Sequence, residues 1–294
     1  MGDARFDLPQ LLELGMKRFN AIILLGVLVS CGPVMGADSQ KPIATTKASA
    51  KAGRNCLFIG HSFFIPVARR FEKLPGQSGV TNHRQKMVFA GGRNGSPGSL
   101  WKGGKRPAIQ KILASGKIEL LGMTYYDSTN SSFEDYQRWI DYALKYNSKT
   151  RFFIGLCWGK NGAKRTLAEY AGSNLKASKA LYQTVVALRK KYPNNTIIYI
   201  NYGTASVELK RQFEAGNLPD VKSMVSRSGV YRDSMGHAAG ILQDLSTLVW
   251  LKAIYGVDPT TSGVKLTYKT DLKPIAKKIV SEQTNRRRQA EKAK

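Results

Sequence analysis

From Asn55 onward, short apolar runs recur at regular intervals: NCLFIG (55–60), KMVFA (86–90), IELLGMTY (118–125), TRFFIGLCW (150–158) and TIIYINYG (196–203). Few of them alternate polar with apolar residues, so they predict strands buried on both faces. Between and after them lie helix-length segments, Phe64 to Lys73, Pro107 to Ala114, Ser132 to Tyr146, Ser173 to Tyr192 and Ala205 to Ala215, with Ala238 to Tyr255 last. In the fourth, Leu175, Leu181, Tyr182, Val185 and Leu188 share one face at a period near 3.6, with Ser178 in the gap. Strand and helix alternate five times, which predicts an α/β domain. Its five-stranded parallel sheet is covered by helices on both faces, a three-layer α/β/α sandwich of flavodoxin-like type. In such sheets, sites form at the carboxyl ends of the strands.

The domain predicted over residues 54–272 is flanked by different material. Met16-Lys17-Arg18 precedes the apolar run AIILLGVLV (21–29), a charged and then a hydrophobic region of signal-peptide length. Residues 1–37 therefore read as an export signal, with Met16 a candidate start. Two processing sites remain open: small residues before Ala37, or a lipobox-like Leu28-Val29-Ser30-Cys31 that would place a lipid anchor on Cys31. Either predicts a protein working in the periplasm or outside the cell, with membrane attachment through the signal segment or a lipid as an alternative. Residues 38–53 have the small, polar composition of a linker. Residues 273–294, ending NRRRQAEKAK, hold eight Lys/Arg, two Glu and no aromatic residue, the composition of a frayed basic tail.

Charge changes the picture of partners. The 294 residues hold 46 Lys+Arg against 20 Asp+Glu, a formal net charge of +26, which attracts polyanions without constraining the fold. No interleaved basic-aromatic motif points to nucleic acid, and an exported protein meets anionic glycan first. Cys56 and Cys157 sit in strand runs separated by an intervening strand, hence ~10 Å apart and too far for a disulfide.

Three histidines are available as a base near neutral pH: His61, His83 and His237. His83 precedes the second strand, at the wrong end for a site. In VYRDSMGHAAG, Asp233 lies four residues before His237; one helical turn there would let the carboxylate orient the imidazole. Ser62, in LFIGHSFF, follows the first strand, where it is either an N-cap or a nucleophile. AGGRNGSPGSLW (90–101) and WGKNGAK (158–164) are loops rich in backbone donors, and Asn161 adds a side-chain amide.

Gly60-His61-Ser62, Gly92-Arg93-Asn94-Gly95, Gly159-Lys160-Asn161 and Asp233 with Gly236-His237 occur in the order of the four sequence blocks of the SGNH hydrolases, or GDSL esterases and lipases, which the chain resembles over residues 54–257. The resemblance implies Ser62 as nucleophile, His237 as base and Asp233 as its orienting acid. It implies an oxyanion hole of Ser62 N–H, Gly95 and Asn161, with Gly92 competing for the Gly95 role. Three features depart from the family pattern: His61 stands where Asp is usual, no Asp follows Asn161, and Asp233 and His237 are four apart where three is usual.

His61, Trp101, Asp127 and Trp158 are candidate substrate contacts, the two tryptophans as platforms for sugar rings. Neither a metal cluster nor a cofactor fingerprint is present in the sequence. The leading expectation is an exported serine esterase acting on an acylated or anionic glycan through an acyl-enzyme; the alternative is a catalytically degenerate module of the same fold that binds anionic polysaccharide.

Overall fold

The structure, a computed structural model, describes residues 51–292. The export segment, Cys31 and all but the last three residues of the 38–53 linker lie outside the described residues. Of those three, Lys51 and Ala52 pair in parallel with Val80 and Thr81, apart from the main sheet.

Five parallel strands form that sheet: β1 (Asn55–Gly60), β2 (Arg84–Phe89), β3 (Leu120–Thr124), β4 (Arg151–Leu156) and β5 (Ile197–Asn201), in the spatial order β2-β1-β3-β4-β5. The order reverses beside β1, so the carboxyl end of β1 opens at a topological switch point. Cys56 pairs in register with Leu120 of β3 rather than with β4, and Cys56 and Cys157 are both free thiols.

The helices are α1 (Ile65–Phe71), α2 (Leu74–Gln77), α3 (Pro97–Lys102), α4 (Arg106–Leu113), α5 (Phe133–Tyr146), α6 (Leu167–Lys191), α7 (Thr204–Glu214), α8 (Gly240–Tyr255) and α9 (Leu272–Lys292). Alternate strand residues feed two cores, as the pleat requires. Phe58 and Phe153 pack with Phe64, Phe71 and Trp250 under α1 and α8. Leu57, Ile59, Leu121 and Phe152 pack with Trp139, Ile140 and Val185 under α5 and α6.

Three elements depart from expectation. The glycine-rich stretch after β2 contains α3, capped by Ser96, whose hydroxyl accepts from Ser99 N–H. Helix α6 starts six residues early, behind a capping box in which Thr166 and Glu169 satisfy each other's backbone N–H groups; Leu175 stays 42% exposed while Leu181, Val185 and Leu188 are buried. The basic tail is helical: Leu272, Ala276, Ile279 and Val280 bury one face of α9, which packs on α8. Its polar average hides an i, i+4, i+7, i+8 apolar stripe, and burial of that stripe outweighs low intrinsic order.

Candidate active site

The chain leaves β1 at Gly60 and turns within four residues into α1. An added Cβ on Gly60 would meet the Phe64 ring at 2.7 Å, so the turn is tight enough to require glycine. His61 organises it. Its carbonyl accepts from Phe64 and Ile65 N–H at 3.0 Å each, and its ring Nδ1 accepts from Phe63 N–H at 3.2 Å. With Nδ1 an acceptor, the proton sits on Nε2, 3.2 Å from the carbonyl oxygen of Tyr125 on the neighbouring strand's exit loop.

Burial lowers the His61 pKa to about 4, with Lys160 and His237 nearby also disfavouring charge and the Tyr125 carbonyl opposing them. A protonated Nδ1 would also face the Phe63 N–H donor to donor. His61 is thus a neutral, fully engaged turn residue, and not a base. Its folded pKa lies below the unfolded value of 6.5, so the unfolded chain binds more protons between them. Stability is complete above about pH 6.5 and is lost as pH falls toward about 4, by roughly 3 kcal/mol in all. Urea midpoints should fall across that window in the wild type and flatten in His61→Gln; equal slopes for the two proteins would remove this role.

Helix α1 begins with Phe64 as N-cap and has no side-chain cap, so Ser62 is not spent on the helix. Its Oγ lies 3.0 Å from His237 Nε2. His237 Nδ1 is in turn 2.7 Å from Asp233 Oδ2. The Ser62 N–H finds no acceptor among the described residues.

The expected helical turn between Asp233 and His237 is absent; the segment is a closed loop. Arg232 N–H donates to His237 O at 2.8 Å, and Tyr231 bridges Ala238. Asp233 Oδ1 accepts from Gly236 and His237 N–H, both at 3.1 Å. Gly236 takes φ +96°, a left-handed conformation that glycine adopts at little cost, and the loop closes between Asp233 and His237 through it. Burial pushes the Asp233 pKa up, but the backbone and ring hydrogen bonds from His237 and the Gly236 N–H outweigh it and hold the carboxyl below its usual value.

Trp158 buttresses the loop. It is 2% exposed, and its Nε1–H donates to Gly236 O at 2.7 Å. Its ring stacks on Phe63 with centroids 5.4 Å apart, and Phe63 meets the His237 ring edge-on at 5.1 Å. The expected sugar platform is therefore a buried support.

A cleft of about 650 Å³ opens on the Ser62–His237 pair, walled by Phe63, Trp158, Phe89, Met235, Gly91 and Gly92. Phe89 and Met235 are 47% and 55% exposed, an apolar lip on a polar edge. Lys160 and Tyr126 close the far side. Sequence reasoning passed over Phe63, Phe89 and Met235 because an isolated apolar residue beside a loop carries no signal; Phe63, next to Ser62, was the most legible of them.

Other expected contacts fall elsewhere. Gly95 is buried beneath the cleft, where an added Cβ would come within 2.7 Å of the Gly60 carbonyl; Gly91 and Gly92 form the wall in its place. Asn161 is exposed, takes a left-handed φ of 57° and caps a short 3-10 turn; the wall is Gly159 and Lys160. Trp101 packs edge-on against Trp139 beneath Arg106, away from this cleft. Asp127 accepts from Thr129 and Asn130 backbone N–H groups, a self-contained turn. His83 bonds Tyr255 OH at 2.7 Å at the amino end of β2.

No family model matches the chain. No curated protein matches it either. Among solved structures, the periplasmic domain of a Salmonella ser. Paratyphi A lipopolysaccharide acetyltransferase aligns over 70% of this chain and 84% of that chain, at 12% identity and a TM-score of 0.39. Among the described residues no group of three or more His, Cys, Asp or Glu is placed to hold a metal, and no helix is long and apolar enough to cross a membrane.

Proposed function

We infer that the protein is a serine hydrolase of SGNH type that cleaves a carboxylic ester through an acyl-enzyme. The observation that carries this reading is the chain of contacts from Ser62 Oγ to His237 Nε2 at 3.0 Å and from His237 Nδ1 to Asp233 at 2.7 Å, at the carboxyl end of a strand beside the switch point. Ser62 attacks the ester carbon and His237 takes its proton. The imidazolium, held by Asp233, returns that proton to the departing alkoxide. Water, activated by the same ring, then attacks the acyl carbon and frees Ser62.

The free Ser62 N–H and the backbone at Gly92, which faces the cleft with φ +51°, are the donors we assign to the oxyanion. The apolar walls of Phe63, Phe89 and Met235 suit an acyl group. The signal-like segment and the lipobox-like Leu28-Val29-Ser30-Cys31 make the enzyme an exported one in this reading, and acylated carbohydrate is its proposed substrate.

The burial of Gly95 and the exposure of Asn161 favour a second reading, in which the site has lost its oxyanion donors and only binds. A fluorophosphonate separates the two. The hydrolase should gain one covalent adduct, located on the Ser62 peptide by mass spectrometry and absent from Ser62→Ala. A protein that stays unmodified while a known serine esterase labels beside it would exclude the hydrolase.

A further inference from the structure

Ser62 and Phe89 border a second cleft, of about 750 Å³, on the side away from Trp158. Its lining holds five cations, Arg69, Arg70, Lys73, Arg232 and Lys265, against the single carboxylate of Asp244. That carboxylate is already committed: it accepts from Arg70 at 2.6 and 2.8 Å and from Tyr268 OH at 2.7 Å. These bonds tie α1 to α8 and to the segment before α9, and so build the floor of the trough. Arg232 leans on Asp233 at 3.8 Å. The side chains of Arg69, Lys73 and Lys265 have no hydrogen-bond or ion-pair partner among the described residues.

Three uncompensated cations therefore face one concave surface that ends at the nucleophile. They come from α1, the link to α2 and the segment before α9, so the cluster is a product of the fold rather than a charge run. Like charges gathered in a concavity repel one another and gain from a bound polyanion, and the concavity focuses their field. The two clefts divide an ester between them. The neutral aromatic one suits the acyl group, whereas an alkyl chain in the trough would bury cations against hydrocarbon.

We propose that the trough binds the alcohol half of the substrate and that this half is a polyanion, a glycan bearing carboxylate or sulfate groups next to the esterified hydroxyl. The proposal rests on the hydrolase reading above for the word alcohol; the anion site itself does not need it.

The test compares wild type, the triple variant Arg69→Gln/Lys73→Gln/Lys265→Gln and a control triple on α6, Lys176→Gln/Lys179→Gln/Lys190→Gln. Each is assayed for kcat/KM on an acetylated polyuronate and on neutral acetylated xylan. Exposed charge pairs are individually weak, so the polyuronate-to-xylan ratio should fall roughly tenfold in the trough triple, mainly through KM, and persist in the control. Raising salt should lower the wild-type ratio. A ratio that is equal in all three proteins, or that falls equally in both triples, would overturn the proposal, the latter leaving only a generally basic surface.

Calorimetry on Ser62→Ala with de-esterified polyuronate and with dextran sulfate tests the trough apart from catalysis and tells carboxylate from sulfate recognition. Binding that is weakened by the trough substitutions, together with a wild-type protein that cleaves no ester, would sink the hydrolase and keep the trough. Ester cleavage without charge preference and without such binding would do the reverse.

Discussion

Ser62→Ala is expected to lower kcat for p-nitrophenyl acetate by about 10⁴ to 10⁶-fold, the range seen when a triad nucleophile is removed. The inference depends on what Ser62 does not do. Because its hydroxyl caps no helix and its recorded side-chain partner is His237 Nε2, removing it leaves α1 and the β1 turn to His61. The thermal midpoint should therefore hold within about 2 °C, consistent with the loss of one partly exposed hydrogen bond. A chain this basic carries surface amines that attack an activated ester slowly, so the assay needs an unactivated acetate ester beside it. Activity on that ester within tenfold of wild type, in a folded protein, would end the nucleophile assignment and with it the acyl-enzyme.

Much of the scaffold was legible because parallel strands buried on both faces read as continuous apolar runs. NCLFIG is β1 residue for residue. The apolar run at β2 starts two residues after the strand, since Arg84 and Gln85 are polar; β2 is an edge strand, and residues such as Arg84, Lys86 and Phe89 remain exposed. Composition hides the helix of the tail: eight Lys/Arg conceal the spacing of Leu272, Ala276, Ile279 and Val280 that docks α9. Ser62 and His237 could be paired because each follows a strand or precedes a helix at the same sheet edge. What lies between them could not. A left-handed Gly236, the Trp158 support beneath it and the meeting of Arg69 with Lys265 across one trough are tertiary facts. No local period encodes them.

The oxyanion candidates show the same limit from another side. Gly92 and Gly95 are three residues apart in one loop, and sequence alone cannot say which faces out. The close approach of Gly95 to the Gly60 carbonyl gives that glycine a packing role and leaves Gly92 at the surface. His61 is the sharper case. As the conspicuous neighbour of Ser62 it invites a catalytic role, yet both its ring nitrogens are occupied, one by Phe63 N–H and one by the Tyr125 carbonyl. A neutral imidazole at this position serves the turn as an acceptor for the Phe63 N–H.

Asp233→Asn should cost about 10⁴-fold in kcat, the loss found when an Asn sets the wrong histidine tautomer in a Ser-His-Asp triad, even though the Asp233 side chain is 40% exposed. The reason is geometric. Oδ1 accepts two backbone N–H groups, from Gly236 and His237, so an asparagine must place its oxygen there. Its amide NH₂ is then left facing His237 Nδ1, where the carboxylate now accepts. Two donors cannot share that contact; the ring responds by carrying its proton on Nε2, pointing at Ser62 Oγ. A histidine in that tautomer cannot take the serine proton, and nothing else within reach can. Asp233→Ala makes a discriminating companion, because it removes the orienting carboxylate without dictating a tautomer and leaves room for solvent at a half-open position. The alanine variant should therefore retain more activity than the asparagine variant, the reverse of their similarity to aspartate. Steady-state rates for the three proteins on one acetate ester settle it: an asparagine variant within tenfold of wild type, or more active than the alanine variant, would remove Asp233 from the triad and leave its carboxylate a loop brace.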